Sequence, residues 1–350
     1  MVVHNPNNWH WVDKNCFSWA REHFNQKLIG LNTGDNRDKY AEVSSISSIE
    51  GDCEVSQRKG KVISLFDLQL VLLIKGNVEE EKFEGSVSIP EIAFDSEEAD
   101  YQFDISIYKE TSKLNEIKPV IREKLVPQLR KIFHNFSKEL LDTHGSAIQL
   151  PEDQVNSTFT KANQKPSSST TSTNATTKQN EVKSNVTSSK PKNAKSVKSP
   201  QPSIATSGGN TTSIHLEPTF NVPAEELYRT FIAKDRILAW SKSGINCIKG
   251  NGPEISVGDM FELFGGNVTS ELVESVLNKK LVFKWRLKDW RDKVFSNLSM
   301  EFHESKEYHE TKLQVTWTGI PVGEEDRVRG NFEDYYVRSI KITFGFGAVL

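Results

Sequence analysis

KVISLFDLQLVLLIKG, residues 61–76, decides how the first half of this chain folds. The run alternates in part and is rich in branched apolar residues. Asn77 follows Gly76, a turn signal. Downstream, EKFEGSVSIP (81–90) sets Phe83, Val87 and Ile89 on one side with Gly85, and YQFDISIY (101–108) does the same with Phe103, Ile105 and Ile107. Upstream, the segment from Val43 to Val55 supplies a fourth strand. Four strands with short connections predict an antiparallel meander. A helix is expected before them, capped by Asp13 and running to about Leu28, with Phe17, Ala20, Phe24 and Leu28 on one face. After them NEIKPVIREKLVPQLRKIFHNFSKELLDTHG (115–145) reads as a long helix. Its stripe is Ile117, Ile121, Leu125, Leu129, Ile132, Phe136 and Leu140, and Gly145 is its C-cap. Pro127 lies inside it, so a kink or a break is expected there. Helix, strands, helix is an α+β domain.

The second half repeats the class in another order. Ile214, Leu216 and Phe220 suggest a first strand. Pro223 stands at a helix start, with Glu225 and Glu226 in the first turn, where carboxylates suit the helix dipole. MFELF (260–264), NVTSELVESV (267–276), KLVFKWRL (280–287), NLSMEFHE (297–304) and TKLQVTW (311–317) are strand candidates. A last helix is expected from about Glu324 to Thr343, with Val328, Phe332, Tyr335 or Tyr336, Ser339–Ile340 and Phe344 toward the core. This is the order of a curved antiparallel sheet gripping a helix. Such a fold often encloses a pocket, and a pocket alone gives no function.

Between the halves no aromatic residue occurs from Phe159 to Phe220. The Ser/Thr/Asn/Lys/Pro-rich stretch at 165–203 cannot bury enough apolar surface to offset its ordering entropy. The chain therefore divides into a first α+β domain at 1–153, a disordered basic linker at 154–210 and a helix-grip domain at 211–350. Charge divides with it. Residues 1–150 hold 18 basic and 24 acidic groups, residues 151–210 hold 8 and 3, and residues 211–350 hold 18 and 20. The linker lysines are dispersed among serines and prolines, so they read first as a solubilising tether and second as an arm for nucleic acid or an acidic partner.

Over the whole chain the net charge is -3, too near neutral for a nucleic-acid binder on charge alone, and the linker lacks the aromatic platforms that stack single-stranded bases. The three cysteines, Cys16, Cys53 and Cys247, form no CxxC pair, which excludes a disulfide framework or structural zinc and points to a reducing compartment. No secretory leader is expected from MVVHNPNNWHW, and the longest apolar run, Leu70–Ile74, is far short of a membrane span. The eight histidines are scattered. There is no HExxH, no GxSxG, no Walker loop and no GxGxxG after a strand. No catalytic residues, metal site or cofactor are expected.

Two local features stand out. Asn5-Pro6-Asn7-Asn8-Trp9-His10-Trp11 is a dense polar and aromatic cluster ahead of any periodic element. It is either a packed terminus or an arm whose asparagines face a partner, with one tryptophan pinning it and the other free. Arg58-Lys59-Gly60-Lys61 falls at a hairpin tip, where it is either a solvated turn or a charged finger for an acidic surface.

These two stretches, with NVPAEELYRTF (221–231) and the closing FGFG (344–347), resemble the activators of the heat-shock protein 90 ATPase. The likeness covers both domains, with the linker as the variable part. NxNNWHW is its specific element, and RKxK is weak alone but stands in the right place. The second domain is similar to the activator branch of the Bet v 1-like helix-grip superfamily. The resemblance implies a cytoplasmic cochaperone, monomeric when free. Its first domain would bind the middle segment of heat-shock protein 90, and its second the dimerised N-terminal ATPase domains. It also implies that Arg58, Lys59 and Lys61 remodel the partner's catalytic loop. Asn5, Asn7, Asn8, Trp9, His10 and Trp11 would serve nucleotide handling and full stimulation. Gly60 fills the free position of RKxK, and Tyr336 stands where some relatives carry tryptophan. A hydrophobic-ligand or lipid carrier using the second-domain pocket is the alternative, and an adaptor without effect on catalysis is the third possibility.

Overall fold

The computed structural model describes residues 5–34, 38–164 and 211–348. In the first half, β1 (Val12–Asn15), β2 (Lys39–Arg58), β3 (Lys61–Val78), β4 (Glu81–Ala93) and β5 (Asp104–Ile107) form a five-stranded sheet in sequence order, antiparallel throughout. The meander is as expected, but its strands are longer. The Val43–Val55 segment belongs to a strand of 20 residues, with bulges between Val43 and Ser45 and between Ile46 and Ser48. The helix expected from Asp13 begins later. Residues 12–15 pair with 54–57 as an edge strand. Asn15 then turns the chain by accepting a hydrogen bond from the Phe17 amide (3.0 Å), and α1 runs Phe17–Leu28. Ala20, Phe24 and Leu28 are buried, as the spacing requires.

The long helix crosses the same face. α2 (Ile117–Val120), a π-helical turn (Ile121–Leu125) and α3 (Val126–Ile148) are continuous. Pro127 stands at the start of α3, directly after the π-helical turn, whose wider winding makes room for the ring inside the continuous helix. Beyond that turn Leu129, Phe133, Phe136 and Leu140 enter the core, while Ile132, expected inward, is only partly buried against it. Phe136 stacks on Phe24 (4.6 Å) and meets Phe66 edge-on (4.9 Å), which ties both helices to the sheet. Gly145 does not cap the helix, which continues to Ile148. The chain then stays ordered into the stretch expected to be linker. Residues 152–154 form a 3-10 turn, and α4 (Thr158–Gln164) follows, with Val155 and Thr160 buried. The remaining expected linker residues, 165–210, lie outside the described residues.

In the second half, β6 (Thr211–Leu216), β7 (Thr219–Phe220), β8 (Ile245–Lys249), β9 (Met260–Leu263), β10 (Val268–Val276), β11 (Lys280–Leu287), β12 (Ser296–Ser305) and β13 (Glu310–Pro321) make an antiparallel sheet ordered β6-β13-β12-β11-β10-β9-β8, with β7 beside β13. Every expected strand is present. β8 was not anticipated, nor was the second of the paired helices α5 (Ala224–Ile232) and α6 (Lys234–Ser241). The terminal helix comprises α7 (Glu325–Asn331), a π-helical stretch (Phe332–Arg338) and α8 (Ser339–Phe344), closed by Gly345 in the left-handed region (φ 71). The sheet grips it through aromatic side chains. Trp317 meets Phe332 edge-on, and the Trp285 indole donates to the Tyr336 hydroxyl at 3.1 Å. Tyr336 is the inward residue and Tyr335 is exposed. The closing FGFG stacks Phe344 on Phe346, and the Phe346 carbonyl accepts from the Asn221 amide (2.9 Å), joining the last residues to the start of α5.

The two domains meet along a polar seam. The Tyr108 hydroxyl donates to Glu217 Oε1 (2.6 Å), which is also 2.8 Å from His215 Nε2, while His215 Nδ1 lies 2.7 Å from Ser47 Oγ. The Tyr108 ring stacks on His303 (4.5 Å). One Arg329 nitrogen donates to both Glu50 carboxylate oxygens at 2.8 Å, and Lys312 Nζ donates to Ser106 Oγ at 2.7 Å.

Candidate functional site

The basic hairpin and the N-terminal cluster, 47 residues apart at their nearer ends, are one surface. Arg58 pairs with Lys61 across a two-residue turn, and Lys59 (φ 52) and Gly60 (φ 80) both take the left-handed backbone of a type I′ hairpin. Arg58, Lys59 and Lys61 are exposed, and Gly60 is buried. Trp11 lies under the Arg58 guanidinium (5.7 Å) and Trp9 under the Lys59 ammonium (5.5 Å). Cations over ring faces are attracted to the π-electron density, which holds two of the three like charges of the tip on separate rings.

The asparagines of the cluster divide by role. Asn5 and Asn8 are buried and fully engaged, so they do not face a partner. The Asn5 side chain accepts from the His10 amide (2.9 Å) and donates to the His10 carbonyl (2.9 Å) and to Gln57 Oε1 (2.8 Å). Asn8 bridges to residue 150. Its Nδ2 donates to the Leu150 carbonyl (3.0 Å) and its Oδ1 accepts from the Leu150 amide (2.8 Å). Asn7, at φ 59, accepts from the amides of Asn156 and Ser157. Such short amide side chains tolerate the left-handed region. His10 is exposed. Both tryptophans point outward, Trp9 46% and Trp11 53% exposed, so neither anchors the arm, and the expectation of one pinned ring does not hold. The anchors are the asparagines.

Sequence reasoning missed Gln57. It is fully buried at the end of β2, and its amide joins Asn5 and the Asn8 carbonyl. A glutamine near a hairpin tip carries no periodic signal. Also missed were Gln149, just past the expected end of the long helix, and Asn163 and Phe159, whose segment reads as polar linker.

The seam at Tyr108 is the second cluster of titratable groups. Burial works to raise the Glu217 pKa, but hydrogen bonds from His215, Ser86 and Tyr108 outweigh it and hold the carboxyl at about 2. Burial pushes the Tyr108 phenol far above its ordinary value and the His303 imidazole below its own. Burial likewise raises the Cys53 thiol to about 12, which leaves it inert as a nucleophile. Among the described residues no three His, Cys, Asp or Glu side chains are grouped to hold a metal ion, and no helix is long and apolar enough to cross a membrane.

The interior of the second domain, between Phe231, Trp240, Phe283, Trp285 and Tyr336, retains a cavity of about 20 Å³. That is room for about one water molecule, whereas small-molecule pockets span about 300–1,000 Å³. Trp240 and Trp285, both buried, fill the space where a carrier would hold its cargo.

Fold and surface together define the class: a two-domain α+β protein whose second domain is a helix-grip sheet, and whose most distinctive surface is a rigid ridge of cations and tryptophans. Residues 13–144 match the family described as "Activator of Hsp90 ATPase, N-terminal", and residues 221–345 match "Activator of Hsp90 ATPase homolog 1-like protein". The chain belongs to the family of activators of the Hsp90 ATPase. It is 59% identical to the Hsp90 co-chaperone AHA1 of Saccharomyces cerevisiae over 356 residues, covering 100% of both chains. To human "Activator of 90 kDa heat shock protein ATPase homolog 1" it is 26% identical, covering 99% of this chain and 94% of the relative. A crystal structure of an Hsp90 activator from Plasmodium falciparum is similar at 26% identity over 39% of this chain and 97% of that one, with a TM-score of 0.35.

Proposed function

We propose that this chain is a cytoplasmic cochaperone that binds the Hsp90 dimer and stimulates its ATPase without a catalytic site of its own, promoting activation of client proteins. The observation that carries this reading is the hairpin tip, where Arg58 and Lys59 are held outward on Trp11 and Trp9 at the far end of a 20-residue strand. A fixed cationic ridge with exposed rings fits an acidic protein surface. Relatives matched along both domains are named as Hsp90 co-chaperones and ATPase activators. In this reading the first domain engages the middle segment and the second engages the N-terminal ATPase domains once they dimerise. Stimulation is then a population shift: a ligand touching both segments only in the closed chaperone favours that state by its differential affinity. Arg58, Lys59 and Lys61 contact the partner, and Trp9, His10 and Trp11 line the same face. Asn5, Asn7 and Asn8 act by holding that face in shape.

Replacing Arg58, Lys59 and Lys61 together by alanine tests this. All three are exposed, so the melting temperature should stay at the wild-type value while affinity for Hsp90 falls at least about tenfold at low salt. The gap between wild type and variant should narrow as salt rises, because exposed charges are screened beyond about 8–10 Å at ordinary ionic strength. Full binding and stimulation by the triple variant would discard the role of the ridge.

A further inference from the structure

We propose that residues 149–164 are a third component of this docking surface. They hold the hairpin tip rigid and add Phe159 to the aromatic contact with an acidic, apolar-recessed surface of the chaperone. The inference rests on the cochaperone reading and extends it to a segment most of which, from residue 154 on, composition assigns to the linker.

The backbone of the tip carries the argument. In an ordinary hairpin the polar groups of the two turn residues face water. Here all four are bonded. The Lys59 amide donates to the Trp9 carbonyl (3.3 Å) and the Gly60 amide to the Asn8 carbonyl (2.8 Å). The Gly60 carbonyl accepts from Gln149 Nε2 (2.6 Å), and the Lys59 carbonyl accepts from Asn163 Nδ2 (2.9 Å). Two come from the N-terminal cluster and two from the 149–164 segment, so the tip is clamped from both sides. The fit is close. A Cβ on Gly60 would lie 2.4 Å from the Thr160 carbonyl oxygen, so α4 can seat only against glycine. Asn7 holds the entry to α4 through the amides of residues 156 and 157, and buried Val155 and Thr160 anchor it.

α4 then presents Phe159 outward, 57% exposed, with its ring 6.1 Å from that of Trp9. Phe159, Trp9 and Trp11 are three exposed rings interleaved with Arg58, Lys59 and Lys61. Aromatic and arginine side chains on a preorganised scaffold are the composition of a binding hot spot, because little freedom remains to be lost on association. The cations require acidic groups opposite them, and the rings require an apolar recess between those groups.

The test uses the full chain titrated calorimetrically against intact Hsp90. Phe159→Ala should weaken binding about tenfold with no change in melting temperature, and Phe159→Tyr should restore it, since the contact is made by the ring. Hydrogen exchange on the free chain probes the clamp without any partner. The amides of Lys59 and Gly60 should be protected in the wild type, and in Asn163→Ala and Gly60→Ala they should exchange at least tenfold faster. Wild-type affinity in Phe159→Ala, with wild-type binding intact, overturns the contact while leaving the cochaperone reading standing. Rapid exchange at 59–60 in the wild type overturns the clamp. A wild type that does not bind Hsp90 overturns the cochaperone reading, and the proposed occupant with it.

Discussion

Tyr108→Phe isolates one bond in the seam between the domains. The Tyr108 ring is buried against His303, and its hydroxyl reaches across to Glu217 of the second domain at 2.6 Å. Phenylalanine keeps the ring and the stack and removes only the hydroxyl. Glu217 then retains His215 but loses one of the hydrogen bonds that hold its carboxyl at about 2. A hydrogen bond to a charged group contributes about 1.5–3 kcal/mol, so the docked fraction should fall by roughly 10–150-fold relative to the open one. Single-molecule energy transfer between one dye on each domain reads the change as growth of an extended population. Adding Arg329→Ala removes the forked pair to Glu50 and should widen the distribution further. Far-ultraviolet circular dichroism should stay at wild-type values in both, since neither change touches a domain core. A double-mutant cycle with Glu217→Gln supplies the sharper reading, because partners in direct contact are coupled and distant sites are additive. Distance distributions identical in wild type and both variants would refute the account of the seam, as would a cycle without coupling.

Asn8→Ala should lower stability by about 1–3 kcal/mol, since it leaves the half-buried Leu150 amide without its partner while the Leu150 carbonyl keeps the Gln164 side chain (2.8 Å), and should weaken Hsp90 binding by loosening the 149–164 segment against the hairpin. Chemical denaturation and titration check the two effects. Asn7→Ala should be milder, because Asn7 is only half-buried and its two acceptor contacts are at the rim. Acid should loosen the seam in two stages. The folded-state pKa of His303 lies below its ordinary 6.5, chiefly through burial, so its contribution is lost as pH falls below 6.5; Gln314, Glu301, Lys109, Glu84 and Tyr108 are the groups around it. Glu217 is depressed from 4.5 to about 2, so its contribution is full above 4.5 and is lost as pH falls from there toward 2. The extended population in the energy-transfer histogram should rise on that schedule, and a histogram unchanged between pH 7 and pH 3 would count against it.

The order of elements was legible in the sequence wherever one side of a strand or helix is apolar. β3 and β11 announce themselves because Leu68, Leu70, Leu72 and Ile74, or Leu281, Phe283, Trp285 and Leu287, alternate inward. β2 is harder to see. Its centre reads SSISSIEGD, polar in both phases, and it is a strand because β3 pairs with it along its length rather than by its own pattern. β1 shows the opposite error, where Asp13 looks like a helix cap and tertiary pairing with residues 54–57 overrides the local signal. The site divides in the same way. Its chemistry was visible, because three cations at a hairpin tip and a tryptophan-rich arm are unusual in any chain. Its assembly was not. Nothing in spacing says that Trp9 lies under Lys59, that Gln57 is buried, or that α4 returns from the polar stretch to lie on Gly60. Those contacts join positions far apart in the chain through side-chain amides, which have no periodicity to read.

The central claim is that this chain accelerates another protein's hydrolysis of ATP. The direct measurement is the steady-state ATPase rate of purified Hsp90 as the full chain is titrated in, with an Hsp90 inhibitor subtracting background and the chain alone as control. The account predicts a saturable rise of several-fold or more, no hydrolysis by the chain alone, and a rise greatly reduced by the Arg58, Lys59 and Lys61 triple alanine variant. An Hsp90 rate that stays flat across the titration, while binding is demonstrated in the same solution, would contradict it.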